Sequence, residues 1–182
     1  QKVDERTEEI QRVNNQLMRF NRVSRQFVPE EFIRLLGVDT IADVERGRHI
    51  HTDLTILFSD IRSFTSISER NSSQQTFCFL NDYLKRVGTA VSQNNGFIDK
   101  FIGDAIMALF PGSPDDAVRA AVQMQKNLAE FNHEHKYKNI SDVSIGIGLH
   151  KGQSILGTIG TENRLDTTVI SDAVNLASRL ES

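Results

Sequence analysis

The chain is poor in cysteine, in excess basic charge and in long apolar runs, and each shortage excludes something. One cysteine, Cys78, occurs in 182 residues. No disulfide can close within the chain, which favours a reducing compartment. Cys78 lies in "QTFCFLNDYL", where it is expected to pack within a helix rather than act as a reactive thiol. Lysine and arginine total 21 against 24 aspartates and glutamates, a formal charge of −3. With no basic stripe and no aromatic platform, nucleic acid is excluded as a partner, and so is an anionic membrane surface. No stretch reaches the roughly 18 apolar residues of a membrane span. The N-terminus has no apolar signal-peptide core and opens in the middle of a polar helix pattern, as a cut boundary would. Repeats and low-complexity segments are absent. The expected location is cytoplasmic, and the length suffices for one domain with a real core plus an appendage.

What is present divides the chain into three. Residues 1–28 are polar and free of Gly and Pro. Their apolar residues Ile10, Val13, Leu17, Phe20 and Phe27 continue a three-four spacing back to Val3, interrupted at Arg6 and Ser24. This is an a/d heptad stripe. Two readings fit it: an amphipathic helix packed on its own domain, or a parallel two-stranded coiled coil, which makes the protein a dimer. Pro29 ends the helix, and "PEEFIRLLG" reads as a short helix closed by Gly37. Residues 29–53 form a connector. His49 and His51 stand in it two apart with no third ligand nearby, so they read as loop or strand residues, not a zinc site.

Residues 54–182 form the main domain. "DLTILFSDI" reads as a buried strand ending at Asp60. "SSQQTFCFLNDYLKRVGTAVSQNNG" has helical period and stops at Asn-Asn-Gly. "FIDKFIGDAIMALFPG" is a hairpin turning at Gly103-Asp104. Ser113 caps a helix with Pro114 at its first position, Asp116 in its first turn and Met124 in its core stripe. "SDVSIGIGLH" and "SILGTIG" read as two strands joined by a turn near Lys151-Gly152. "LDTTVI" is another strand, and "SDAVNLASRLES" opens a last helix capped by Ser171 or Asp172. The order β-α-ββ-α-ββ-β-α predicts an α+β sandwich, an antiparallel or mixed sheet with helices on one face.

Two carboxylates carry the chemistry. Asp60 ends a buried strand and precedes a Ser/Thr-rich turn into a helix, a corner whose backbone N–H groups favour anions. Asp104 stands at the tip of an apolar hairpin. If both strands are central neighbours, the carboxylates converge. Paired carboxylates beside a phosphate-holding turn suit Mg²⁺ or Mn²⁺. Taken singly, each aspartate is equally explained by turn and cap chemistry. No His or Cys nucleophile is apparent.

The segments "LTILFSDIRSFTSISE", "FIDKFIGDAIMALF", "SIGIGLHKG" with "ILGTIG", and "DTTVISDAVNLASRLE" resemble, in order, the class III nucleotide cyclases, bacterial adenylate cyclases above all. The turn Ile102-Gly103-Asp104-Ala105 is not the Gly-Gly-Asp/Glu-Glu-Phe turn of diguanylate cyclases. The helix at 1–28 and "FVPEEFIRLLG" resemble the signalling helix and transducing segment that precede such domains. The resemblance implies a ferredoxin-like, palm-type antiparallel sheet covered by helices and preceded by a coiled-coil helix. It implies two Mg²⁺ or Mn²⁺ ions per site, held by Asp60, Asp104 and the Ile61 carbonyl. It makes the backbone of Ile61, Arg62, Ser63, Phe64 and Thr65 the loop around the triphosphate. It makes Lys100 and Thr168 the base-reading pair, Asn175 the residue that orients the ribose and Arg179 the one that stabilises the transition state. Asn175 and Arg179, at i and i+4, share one helix face.

The implied reaction is attack of the 3′-hydroxyl on the α-phosphorus with loss of pyrophosphate. Lys100 and Thr168 suit adenine N1 and its exocyclic amine, which favours ATP over GTP. Threonine departs from the aspartate of many adenylate-specific members. Gln153 stands where some members carry a phosphate-contacting arginine, and the chain holds no candidate for a lysine found farther along in the family, whose domain continues past the position of Ser182. The expected partners are ATP, a second copy of the chain sharing both active sites, and an upstream sensor domain. A guanylate cyclase and a non-catalytic nucleotide-binding signalling dimer are the alternatives.

Overall fold

The structure, a computed structural model, describes every residue except Gln1, His135 and Lys138; the side chains of residues 2–5, 8 and 25 also lie outside the description. The chain forms two compact units, one of Gln1–Arg48 with Thr158–Thr167, the other of His49–Gly157 with Thr168–Ser182.

In the first unit, α1 (Lys2–Phe27) runs unbroken because its sequence lacks Gly and Pro. Its seam is exposed: Ile10 by 65%, Leu17 by 54% and Phe20 by 66%. Val3, at the head of the seam, lies outside the described side chains. Pro29 opens α2 (Glu30–Leu35), and Gly37 ends it in the left-handed conformation at φ 68°. Arg48 holds that end, its guanidinium donating to the carbonyls of Leu36 and Gly37 at 3.1 and 3.2 Å.

The sheet has five strands in the order β2-β3-β1-β4-β5: β1 His49–Ile61, β2 Phe97–Ile102, β3 Ala105–Phe110, β4 Ile145–Thr161 and β5 Arg164–Ile170. The β1–β3, β1–β4 and β2–β3 pairs are antiparallel. β1 begins at His49, before the predicted start, so His49 and His51 are exposed strand residues with ring centroids 6.0 Å apart. Among the described residues, no group of three or more His, Cys, Asp or Glu side chains could hold a metal, and no helix is long and apolar enough to cross a membrane.

Two further expectations are corrected. The predicted turn near Lys151-Gly152 does not exist: β4 is continuous and pairs with β1 from His49↔Gly157 to Ile61↔Ile145. Gly152 serves packing, since a Cβ there would lie 2.8 Å from the Cβ of Ala173. Nor are the helices confined to one face. On one side Leu57, Ile61, Ile106, Ala108, Phe110 and Ile145 pack under α4 (Ser73–Gln93) and α5 (Pro114–His133). Alternate residues of β4, Gly146, Gly148 and Gly152, meet α6 (Asp172–Glu181) on the other. At Gly148 a Cβ would meet the Ala177 carbonyl oxygen at 2.1 Å, so the helix rests on bare strand backbone.

The core is made by helical period. α4 buries Phe79, Tyr83, Val87 and Val91, and α5 buries Ala117, Ala120, Met124, Leu128 and Phe131. Each large side chain contributes about 1.5–3 kcal/mol by leaving water. Cys78 is exposed, contrary to expectation, because Phe79 owns the buried stripe and its neighbour points about 100° away. Ser113 and Ser171 cap α5 and α6 as their sequences predict, accepting from Asp115 N and Val174 N.

Candidate active site

The β2–β3 hairpin turns through Gly103 and Asp104, with Gly103 in the left-handed conformation at φ 64°. A two-residue turn needs such a residue to match the twist of its strands. The register Ser59↔Ile106 then brings the turn alongside the end of β1. The Ile61 amide donates to Asp104 Oδ2 at 3.1 Å, which sets the Asp104 carboxyl beside that of Asp60. Burial pushes the Asp104 carboxyl up to about 7, helped by the hydrogen bond and the like charge of Asp60 and opposed by the Ile61 amide. Two neighbouring carboxylates are hard oxygen donors, a set that a divalent cation such as Mg²⁺ or Mn²⁺ fits, because its charge offsets their mutual repulsion.

Beyond Ile61 the backbone makes a corner. The Arg62 amide donates to Ser144 O at 2.9 Å, extending the ladder by one bond. Ser63 takes φ 59°, unusual for a residue with a side chain, and starts α3 (Phe64–Arg70). The amides of Ser66 and Ile67 turn back to the Ser63 carbonyl. The amides of Ile61 and Arg62 are thus engaged inside the protein. The Arg62 side chain turns to Glu181, Nη1 lying 3.0 Å from Oε1.

Lys100 is half-buried on β2, just after a bulge that shifts the pairing between Ile98 and Lys100. The bulge turns Asp99 inward, with its carboxylate 3.4 Å from the Lys100 ammonium. Asp99 was not singled out in the sequence; its signal was an acidic residue inside the apolar run "FIDKFI". Thr168 is half-buried on β5, at the opposite edge of the sheet from β2. Asn175 and Arg179 are exposed on α6, whose Ala173 and Ala177 face the sheet. One chain therefore gathers Asp60, Ile61, Asp104 and the 63–65 corner, and carries Thr168, Asn175 and Arg179 elsewhere. Tyr83, also unanticipated, is fully buried near the Ser59 hydroxyl. Burial holds its phenol protonated well above the usual range, and the Asp104 and Asp60 charges add to this.

A family model described as the adenylate and guanylate cyclase catalytic domain matches residues 48–182. The chain is 47% identical over 161 residues to an adenylate cyclase of Anabaena cylindrica, covering 86% of the chain and 32% of that protein. It is 43% identical over 164 residues to a terminal-differentiation-specific adenylate cyclase of Dictyostelium discoideum, covering 87% of the chain and 8% of that protein. The chain thus spans a third or less of these relatives' length. Its fold is similar to that of a bacterial light-regulated adenylyl cyclase, with TM-score 0.82 and 29% identity over 96% of the chain and 51% of that structure.

Proposed function

This chain belongs to the adenylate and guanylate cyclase catalytic domain family, and on that premise we propose that it converts ATP to 3′,5′-cyclic AMP and pyrophosphate in a cytoplasmic homodimer. The observation that carries the reading is the meeting of Asp60 and Asp104 where β1 ends beside the hairpin tip. Held by Asp60, Asp104 and the Ile61 carbonyl, two Mg²⁺ or Mn²⁺ ions supply the Lewis-acid charge for this chemistry. The amides of Ser63, Phe64 and Thr65 hold triphosphate oxygens at the corner. Lys100, steadied by Asp99, donates to adenine N1, and Thr168 accepts from the exocyclic amine. Asn175 orients the ribose. Arg179, one turn farther along the same helix, offers its fork of donors to the α-phosphate as charge builds there. The 3′-oxygen–phosphorus bond forms as the bond to pyrophosphate breaks, and the hydroxyl proton is released.

Each site draws on two chains. One contributes Asp60 and Asp104; its partner contributes Lys100, Thr168, Asn175 and Arg179. The exposed faces of α6 and α1 support this reading, since both present functional or apolar residues outward. Residues 1–28 act as a coiled-coil signalling helix and residues 29–53 as a transducing connector to the catalytic residues 54–182, so that an upstream sensor aligns or separates the half-sites. The family spans both nucleotides; the names of the two relatives and Lys100 itself favour ATP over GTP. The test is complementation in the full-length protein. Asp104→Ala and Arg179→Ala are each inactive alone. Mixed equally and reassociated, they recover about a quarter of wild-type activity, because half the dimers are mixed and each holds one intact site. No recovery, with mixed dimers present, overturns the shared site.

A further inference from the structure

Arg62 leaves the end of β1 and crosses β4 at Gly146. A Cβ at that glycine would lie 1.8 Å from Arg62 Nη2 and 2.4 Å from Glu181 Oε1. Through this gap the guanidinium reaches the last turn of α6, where Nη1 pairs with the Glu181 carboxylate at 3.0 Å and Nη2 donates to the Glu181 carbonyl oxygen. Glu181 is 8% exposed. Its backbone also lies close on β4, with its amide nitrogen 2.4 Å from where a Cβ of Gly148 would be. At the other end the Arg62 amide donates a hydrogen bond to the Ser144 carbonyl, and the next residue, Ser63, is the left-handed corner of the loop. The contact joins two elements 119 residues apart in sequence. One is the loop at residues 61–65; the other is the helix that carries Asn175 and, two residues before Glu181, Arg179.

We infer that Arg62 and Glu181 are a positioning pair, a strut that sets the height of α6 and hence the aim of Asn175 and Arg179 against the loop at residues 61–65. The inference rests on the cyclase reading of those residues. The Arg62 guanidinium is turned to the helix, with Nη1 paired to a buried carboxylate and Nη2 bonded to the Glu181 carbonyl. The two contacts at Glu181 fix the turn that carries Arg179 in register.

The experiment uses the full-length protein with ATP and Mn²⁺ and four variants: Glu181→Gln, Arg62→Gln, the two combined, and Arg62→Lys. Each Gln variant lowers kcat about 10- to 100-fold, the cost of a slightly misplaced catalytic group, with KM changed less than about threefold. The double variant is no worse than the poorer single one, because both remove one interaction. Arg62→Lys recovers part of the loss. Hydrogen exchange supplies a readout independent of turnover. In Glu181→Gln the amides of Ser66, Ile67 and Ser182 lose protection together while those of α5 keep theirs. Additive losses, a rise in KM at unchanged kcat, or unchanged protection at the end of α6 overturns the inference. If the wild type turns over neither ATP nor GTP, the cyclase reading falls, and the exchange result still decides the strut.

Discussion

The backbone amide of Ile61 donates to a carboxylate oxygen of Asp104 at 3.1 Å, tying the end of β1 to the tip of a hairpin 43 residues away. That bond holds the Asp104 carboxyl against Asp60, and the arrangement costs stability when no cation is bound. The folded-state Asp104 pKa, about 7, lies above its unfolded value, so the folded chain binds more protons between about pH 4 and 7. Stability therefore falls as pH rises through that window. Asp104→Asn, which keeps an acceptor for Ile61, melts at least about 3 °C higher than wild type at pH 8 in chelator. The difference closes toward pH 4, and Mn²⁺ raises the midpoint of the wild type only. Thermal melts at both pH values, with and without metal, check this.

Gly148 makes a second prediction. A Cβ there would strike the Ala177 carbonyl oxygen at 2.1 Å and the Glu181 amide nitrogen at 2.4 Å, both backbone atoms that cannot swing aside. Gly148→Ala costs about 2 kcal/mol by overpacking and lifts α6 with Asn175 and Arg179, so activity falls more than tenfold. Gly88 in α4 is the contrast, since a Cβ there would meet only the flexible Cδ1 of Ile98 at 3.2 Å. Gly88→Ala stays within about 1 kcal/mol of wild type, because alanine recovers helix propensity. Urea titrations of the two variants distinguish them.

Much of this was legible in the sequence because the signals were local. Ser113-Pro114 marks a helix start, Gly103-Asp104 marks a two-residue turn, and the apolar runs around it mark its strands. The failures share a cause: each depended on what a residue meets far along the chain. Lys151-Gly152 resembles a turn, yet Gly152 exists to admit Ala173 of α6. Helical period predicted α6 and could not say which sheet face it covers. Cys78 sits one residue from a buried stripe, and the stripe position alone decides its exposure. The convergence of Asp60 and Asp104 was foreseen because each stands at the end of a readable strand. The contacts Asp99–Lys100 and Arg62–Glu181 were not, since a bulge and a bare glycine backbone leave no spacing pattern.

The exposed seam of α1 makes a third prediction. Leu17 is 54% exposed in the single chain, and burying a leucine against a second copy stabilises association by about 1.5–3 kcal/mol per chain. Leu17→Asp buries a charge in place of that side chain. Sedimentation then shows the wild type as a dimer and the variant shifted toward monomer, with activity lost in parallel if the sites are shared as proposed. A variant that remains fully dimeric and fully active removes α1 from the account.

The most direct measurement is product formation from ATP and from GTP with Mn²⁺, for the full-length protein and its Asp104→Ala variant. The account predicts cyclic AMP and pyrophosphate in equal amounts from ATP, at least tenfold less cyclic GMP from GTP, and loss of both in Asp104→Ala. Cyclic GMP as the main product contradicts the reading of Lys100 and Thr168. Turnover that survives in Asp104→Ala contradicts the aspartate pair as the centre of the chemistry.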